Sequence, residues 1–202
     1  MGLRLYGLTV ADCGAVLPEG VELAPFRELA AVVEEGPFEN VQPDGEAIER
    51  YTEVIGAVFD HAPVVPAPPG TVFRDGSVLV RWMEPHYVAL TDALSYVEDR
   101  AVARVHMCRG DGDPADRDKG ADLAAAAADS YRALRRRSVA AVPLKTEHLT
   151  GIVLSGAFLI ERELWGEFEA TLRDERQRNA GLRIDISGPW PPYDFVRMQF
   201  GG

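Results

Sequence analysis

The chain has 202 residues and a mass of 22.1 kDa, with 47% apolar and 26% charged residues, and 21 basic against 32 acidic side chains give a net charge of −11. The apolar fraction excludes a disordered chain, and no stretch of about 18 residues is both uncharged and free of Pro or Gly breaks, which excludes a membrane-spanning helix. With a pI near 4.8 the chain lacks the basic footprint that nucleic-acid binding needs, so neither nucleic acid nor membrane is expected as a partner.

The opening MGLRLYGLTVADCG has no charged leader before a long apolar core, so a secretion signal is not expected and a cytoplasmic location is. Arg4–Val10 predicts a first strand and Glu28–Val33 another, closed by Gly36-Pro37. From Asp44 to His61 the period changes. Ile48, Tyr51, Val54, Ile55, Val58 and Phe59 recur at helical spacing and predict an amphipathic helix. Pro63–Pro69 holds too many prolines for an inner strand and is expected at an edge or as extended chain, ahead of Gly70-Thr71-Val72-Phe73. Asp75 suits the cap of a helix bearing Val78, Leu79, Trp82 and Met83. Pro85 is expected to interrupt that helix or to begin the next, whose stripe is Tyr87, Leu90, Leu94 and Val97.

The second half is more regular. Ala101–Cys108 alternates as a strand does, and Gly110–Gly120 is expected as a solvated loop whose aspartates fail the calcium-loop pattern. Ala121–Arg137 predicts a helix with Leu123, Ala127, Tyr131 and Leu134 on one face; Arg135-Arg136-Arg137 suits its negative end. Ser138–Leu144 and Thr150–Ile160 predict antiparallel strands. Glu161–Ala180 predicts a helix with Leu164, Trp165, Phe168 and Leu172 inward and Gly181 as its C′ stop, before a last strand at Leu182–Ser187. The expected class is α+β in two domains, 1–98 and 99–202. The second is expected as a ferredoxin-like βαββαβ sandwich, with both helices on one face of an antiparallel four-stranded sheet.

No catalytic constellation stands out: GxSxG, Walker, GxGxxG and HExxH patterns are missing from the sequence. Cys13 and Cys108 are expected to be free thiols in different domains. His106 and Cys108 share a strand face, but two ligands do not make a zinc site. His61, His86 and His148 have no ligand spacing, so neither metal nor cofactor is expected. Cys108 with His106 as base would lack oxyanion donors, and a packed core thiol is the preferred reading. The paired carboxylates Glu34-Glu35 and Glu161/Glu163 are expected on solvated faces.

The informative stretch is the tail, DISGPWPPYDFV from Asp185 to Val196. Gly188, Pro189, Trp190, Pro191, Pro192 and Tyr193 make a stiff, ring-rich segment poor in N–H donors. It can serve as an end clamp packed by Trp190 and Tyr193, the favoured reading, or as a partner-binding surface.

That tail closely resembles the "TGPWPPYSFV" ending of the GvpL/GvpF family of gas vesicle accessory proteins. Leu149–Ile160 is similar to the family's strand before its last helix, Leu5-Tyr6-Gly7 resembles its opening "YGI", and Val64–Phe73 resembles its "VLPLRFGTVF" segment. Pro68-Pro69 stand where the family usually has Arg-Phe, and Tyr51-Thr52 where it usually has His-Glu; the link from Cys108 to Ala121 is short for the family. The resemblance implies two α+β domains, the second a modified ferredoxin fold, and no catalysis. It implies a non-enzymatic assembly factor whose partners are the gas vesicle shell protein and other gas vesicle accessory proteins. The alternative from the residues is a ferredoxin-like small-molecule-binding protein or enzyme with its ligand on the open sheet face. A deep polar pocket with perturbed titratable groups would favour that alternative.

Overall fold

The computed structural model describes residues 1–38, 44–110, 120–146 and 151–196. The chain forms two compact units: Met1–Asp99 joined by the tail from Pro191, and Arg100–Trp190. Both combine helices with an antiparallel sheet, a mixed fold of the expected coarse class.

In the first unit the strands are β1 (Gly2–Val10), β2 (Val21–Phe26), β3 (Leu29–Gly36), β4 (Val64–Pro66) and β5 (Val72–Phe73), in the order β2-β3-β1-β4 with β5 also on β1. Alternation, reset by a β-bulge between Leu5 and Gly7, decides the faces. Leu5, Leu8, Ala31 and Val33 share a buried cluster with Leu79, Met83, Leu90 and Leu94 of helix α2 (Gly76–Val97). Tyr6 and Gly7 face the other way, onto helix α1 (Gly45–Phe59). Gly7 permits that approach, because a Cβ there would lie 2.8 Å from the Val65 carbonyl and 3.1 Å from Ile55 Cδ1. Asp44 and Asp75 cap the two helices, accepting the Ala47 and Val78 N–H groups at 2.9 and 3.0 Å.

Three differences from the sequence expectations have local causes. Strand β2 was not foreseen, because Pro25 breaks its alternation; the strand tolerates that residue by lying at the sheet edge. Pro85 does not interrupt α2, which runs unbroken for 22 residues. The bond it removes is the one to the Arg81 carbonyl, and both residues are exposed. The tail from Pro191, expected in the second domain, groups with the first unit, where Tyr193 lies tilted against Tyr51 at 6.1 Å between centroids.

The second unit runs β6 (Arg100–Arg109), α3 (Gly120–Arg135), β7 (Ala140–Pro143), β8 (Ile152–Glu161), α4 (Trp165–Arg178) and β9 (Leu182–Trp190), with sheet order β7-β8-β6-β9. Both helices pack on the face carrying Ala103, Val105, Met107, Phe158, Ile160 and Ile184. Gly156 on β8 makes room for α3: a Cβ would sit 2.6 Å from the Tyr131 ring. A 3-10 turn over Arg162–Leu164 precedes α4, so the expected single helix from Glu161 starts later. Gly181 is not a left-handed stop. The helix ends at Arg178 with Asn179 as cap, and Gly181 instead allows a close approach, since a Cβ would meet Leu123 Cδ2 at 3.2 Å. His148, most of the expected loop at 110–120, and the start of the strand expected at Thr150 lie outside the described residues.

Candidate functional site

The tail motif divides between the units. Gly188, Pro189 and Trp190 complete β9, while Pro191 and Pro192 are buried and Tyr193 is half-buried in the first unit. At Gly188 the backbone has φ +130°, and a Cβ would lie 2.6 Å from the Val102 carbonyl and 3.1 Å from Trp165 Cη2, so only glycine fits. Trp190 is 39% exposed and donates its indole N–H to Ser187 Oγ at 3.1 Å. Of the two rings expected to pack the clamp, Tyr193 is therefore more deeply engaged than Trp190.

Around Tyr193 an open, mainly apolar groove of about 370 Å³ is lined by Tyr51, Pro66, Ala67, Pro68, Pro69 and Val196. The two prolines at which the chain departs from its resemblance thus meet the tail motif. Tyr51 donates its hydroxyl to the Ala67 carbonyl at 2.6 Å, and burial, helped by the Tyr193 phenol, pushes its pKa well above the ordinary value. Tyr51 stacks on Tyr6, 6.2 Å between centroids, and Tyr6 donates to Glu34 at 2.6 Å.

Glu34 corrects an expectation. It is not on a solvated face but accepts from Tyr6, from Arg4 at 3.2 Å and from Arg50 at 3.0 Å, with its side chain 19% exposed. Burial opposes its ionisation. The Tyr6 and Arg50 hydrogen bonds and the charges of Arg50 and Arg4 outweigh it and hold the carboxyl below the usual range. Arg50 also bonds the Glu19 carbonyl, so helix, sheet and loop meet at one carboxylate. The pattern around Tyr51 marked a core stripe, and nothing local announced the meeting with Glu34.

On the sheet face of the second unit away from its helices, His106 Nδ1 lies 2.7 Å from Ser155 Oγ, and Asp185 sits opposite His106 in register. Ser155 is 2% exposed and its hydroxyl also reaches the Val105 carbonyl at 3.4 Å, while Arg183 Nε holds Asp185 at 3.0 Å. His106 and Ser155 stand on the inner strands β6 and β8, each paired on both sides. Cys13 and Cys108 are both buried and free. Among the described residues no group of three or more His, Cys, Asp or Glu could hold a metal, and no helix is long and apolar enough to cross a membrane. A second cavity of about 200 Å³, lined by Arg136, Arg137, Glu161 and Glu167 among others, mixes both charges.

The family described as "Gas vesicle synthesis protein GvpL/GvpF" matches residues 3–111 and 111–197. Gas vesicle protein F2 of Halobacterium salinarum is 26% identical over 182 residues, covering 87% of this chain and 80% of the relative. Gas vesicle protein F of Haloferax mediterranei is 25% identical over 195 residues, covering 93% and 87%. The crystal structure of the gas vesicle protein GvpF from Anabaena sp. PCC7120 matches with a TM-score of 0.81 over 100% of this chain and 98% of that one, at 14% identity. That of GvpF from Microcystis aeruginosa matches with a TM-score of 0.76 over 98% and 99%, also at 14% identity. At such identities the two structures speak to the fold alone.

Proposed function

The chain belongs to the gas vesicle GvpL/GvpF family, and from that premise we propose that it is a non-enzymatic accessory protein of gas vesicle assembly, binding shell subunits or sibling accessory proteins as the vesicle forms. The observation that carries this is the reach of the family match, which runs from residue 3 to residue 197. A wall that faces gas needs subunits with much apolar surface, and such subunits aggregate when left free in water. A strongly acidic chain stays dispersed beside them and can hold or deliver them. Its place would be the cytoplasm, with the vesicles.

In this reading the second domain is a modified ferredoxin-like fold, which its strand order β7-β8-β6-β9 supports. The domain boundary we propose falls between residues 98 and 99, with the tail from Pro191 counted in the first domain. The segment from Gly188 to Tyr193 serves mainly as a clamp. Gly188 and the cluster of prolines bring β9 to its end, and Tyr193 anchors the chain beyond it beside Tyr51. The groove there is the surface we assign to a client, because its lining is apolar and uncharged, as an apolar client requires.

The test is a pull-down with the purified full chain against its own shell protein and each sibling accessory protein. Retention of at least one, weakened by Pro69→Asp with the melt unchanged, is the expected outcome. Failure to retain any would contradict the proposal.

A further inference from the structure

Four of the strands that end the sheets, β2 and β4 in one and β7 and β9 in the other, contain a proline, Pro25, Pro66, Pro143 and Pro189, and the two-residue β5, which also ends the first sheet, does not. The inner strands β1, β3, β6 and β8 contain none. Three of the four prolines sit at the register positions where a missing N–H matters to an incoming strand. The Ala67 N–H bonds the Tyr6 carbonyl at 2.8 Å, one step past the Gly7–Pro66 pair. That makes Gly7–Pro66 a pair without mutual bonds, so the Pro66 nitrogen points off the sheet edge while the Gly7 groups turn to β3. The Leu144 N–H bonds the Ser155 carbonyl at 2.9 Å and places Pro143, opposite Gly156, in the same class. Phe26 and Leu29 flank the two-residue turn and exchange bonds, so the next pair, Pro25–Ala30, also points its nitrogen outward.

On β9, Pro189 falls in the irregularity between the Val102–Trp190 and Arg104–Ser187 pairs. A second device acts further along. The Gly110 N–H bonds the Gly181 carbonyl at 2.9 Å, which fixes Arg109–Leu182, and by alternation Met107–Ile184, as pairs without mutual bonds. The Ile184 carbonyl therefore faces off the edge, where Arg176 Nε of α4 donates to it at 2.7 Å. Pro66 is buried, whereas Pro25, Pro143 and Pro189 are exposed, so three edges would otherwise be open to water and to other chains.

We propose that these four proline-bearing edges are closed to strand addition: neither a second copy of this chain nor an extended segment of a partner pairs along them, and binding at them is left to the faces of the two units. An incoming strand would find a ring where it needs a donor, and on β9 a carbonyl already taken. The inference stands apart from the assembly role above, since it concerns how any partner can dock.

The experiment restores the donors with Pro25→Thr and Pro143→Val, singly and together, in the full chain. The double variant is expected to keep a cooperative melt while its average mass by light scattering rises to about twice that of the unaltered protein or more across a concentration series. New amide protection should appear along β2 and β7. Leu134→Ala, which weakens the core instead, should lower the melt without raising the mass. An unchanged mass in the folded double variant, equal association by Leu134→Ala, or association only after the melt is lost would each overturn the proposal. The unaltered protein gives a second reading. A synthetic peptide with the sequence Ile152–Glu161 should add no amide protection to its β2 or β7 edges, and protection there would overturn the proposal as well.

Discussion

The two units use aromatic rings in opposite ways. In the first, the rings carry hydroxyls that tie together segments far apart in sequence: Tyr6 to Glu34, Tyr51 to Ala67, and Tyr87 to Glu28 on the β2–β3 turn. In the second, Tyr131, Phe158 and Phe168 form a chain through the dry core between α3, β8 and α4, with centroids 5.2 and 5.4 Å apart. The first arrangement spends its rings on holding irregular chain, namely the turn and the Pro68-Pro69 stretch. The second holds helices to a sheet. Both units hold a buried apolar cluster, and the contrast lies in what the rings add to it: satisfied polar tips in the first, packing volume in the second.

Phe158→Ala should show the largest effect, a loss of about 4 kcal/mol by chemical denaturation, because the ring is fully buried between two others. Gly188→Ala should cost about 2 to 3 kcal/mol, since it adds a Cβ against the Val102 carbonyl at a positive φ. Tyr51→Phe keeps the ring but strands the Ala67 carbonyl, for about 1 to 2 kcal/mol. If Tyr51→Phe cost as much as Phe158→Ala, the contrast between the units would fail.

The smallest effect concerns pH. The folded-state pKa of Glu34 lies below its ordinary value near 4.5, so the stability it contributes is complete above that value and is lost as pH falls through the folded one. Glu34→Gln should therefore flatten the acid limb of a stability-against-pH curve. An acid limb of unchanged slope would remove Glu34 from its place at the centre of the first unit.

Regular periodicity was legible in the sequence and long-range meeting was not. The spacing of Tyr51, Val54, Ile55 and Val58 located α1 and its buried face, and the alternation in Ala101–Cys108 located β6. Pro25 hid an edge strand because edge strands accept what inner strands refuse. Pro85 suggested a break that a solvated helix face does not need. The tail motif was conspicuous by composition, yet its partner Tyr51 lies at the other end of the chain and looked like one more core position. Glu34 looked like half of a solvated pair, because its three donors come from β1 and α1.

The most direct measurement of the central claim is the yield and shape of gas vesicles made from this chain's own gene cluster with and without its gene, followed by restoration in trans. The account predicts absent or misshapen vesicles without the gene, recovery when it is returned, and co-purification of shell or accessory proteins with the restored chain. Vesicles of normal yield and shape in its absence, with nothing co-purifying, would contradict it.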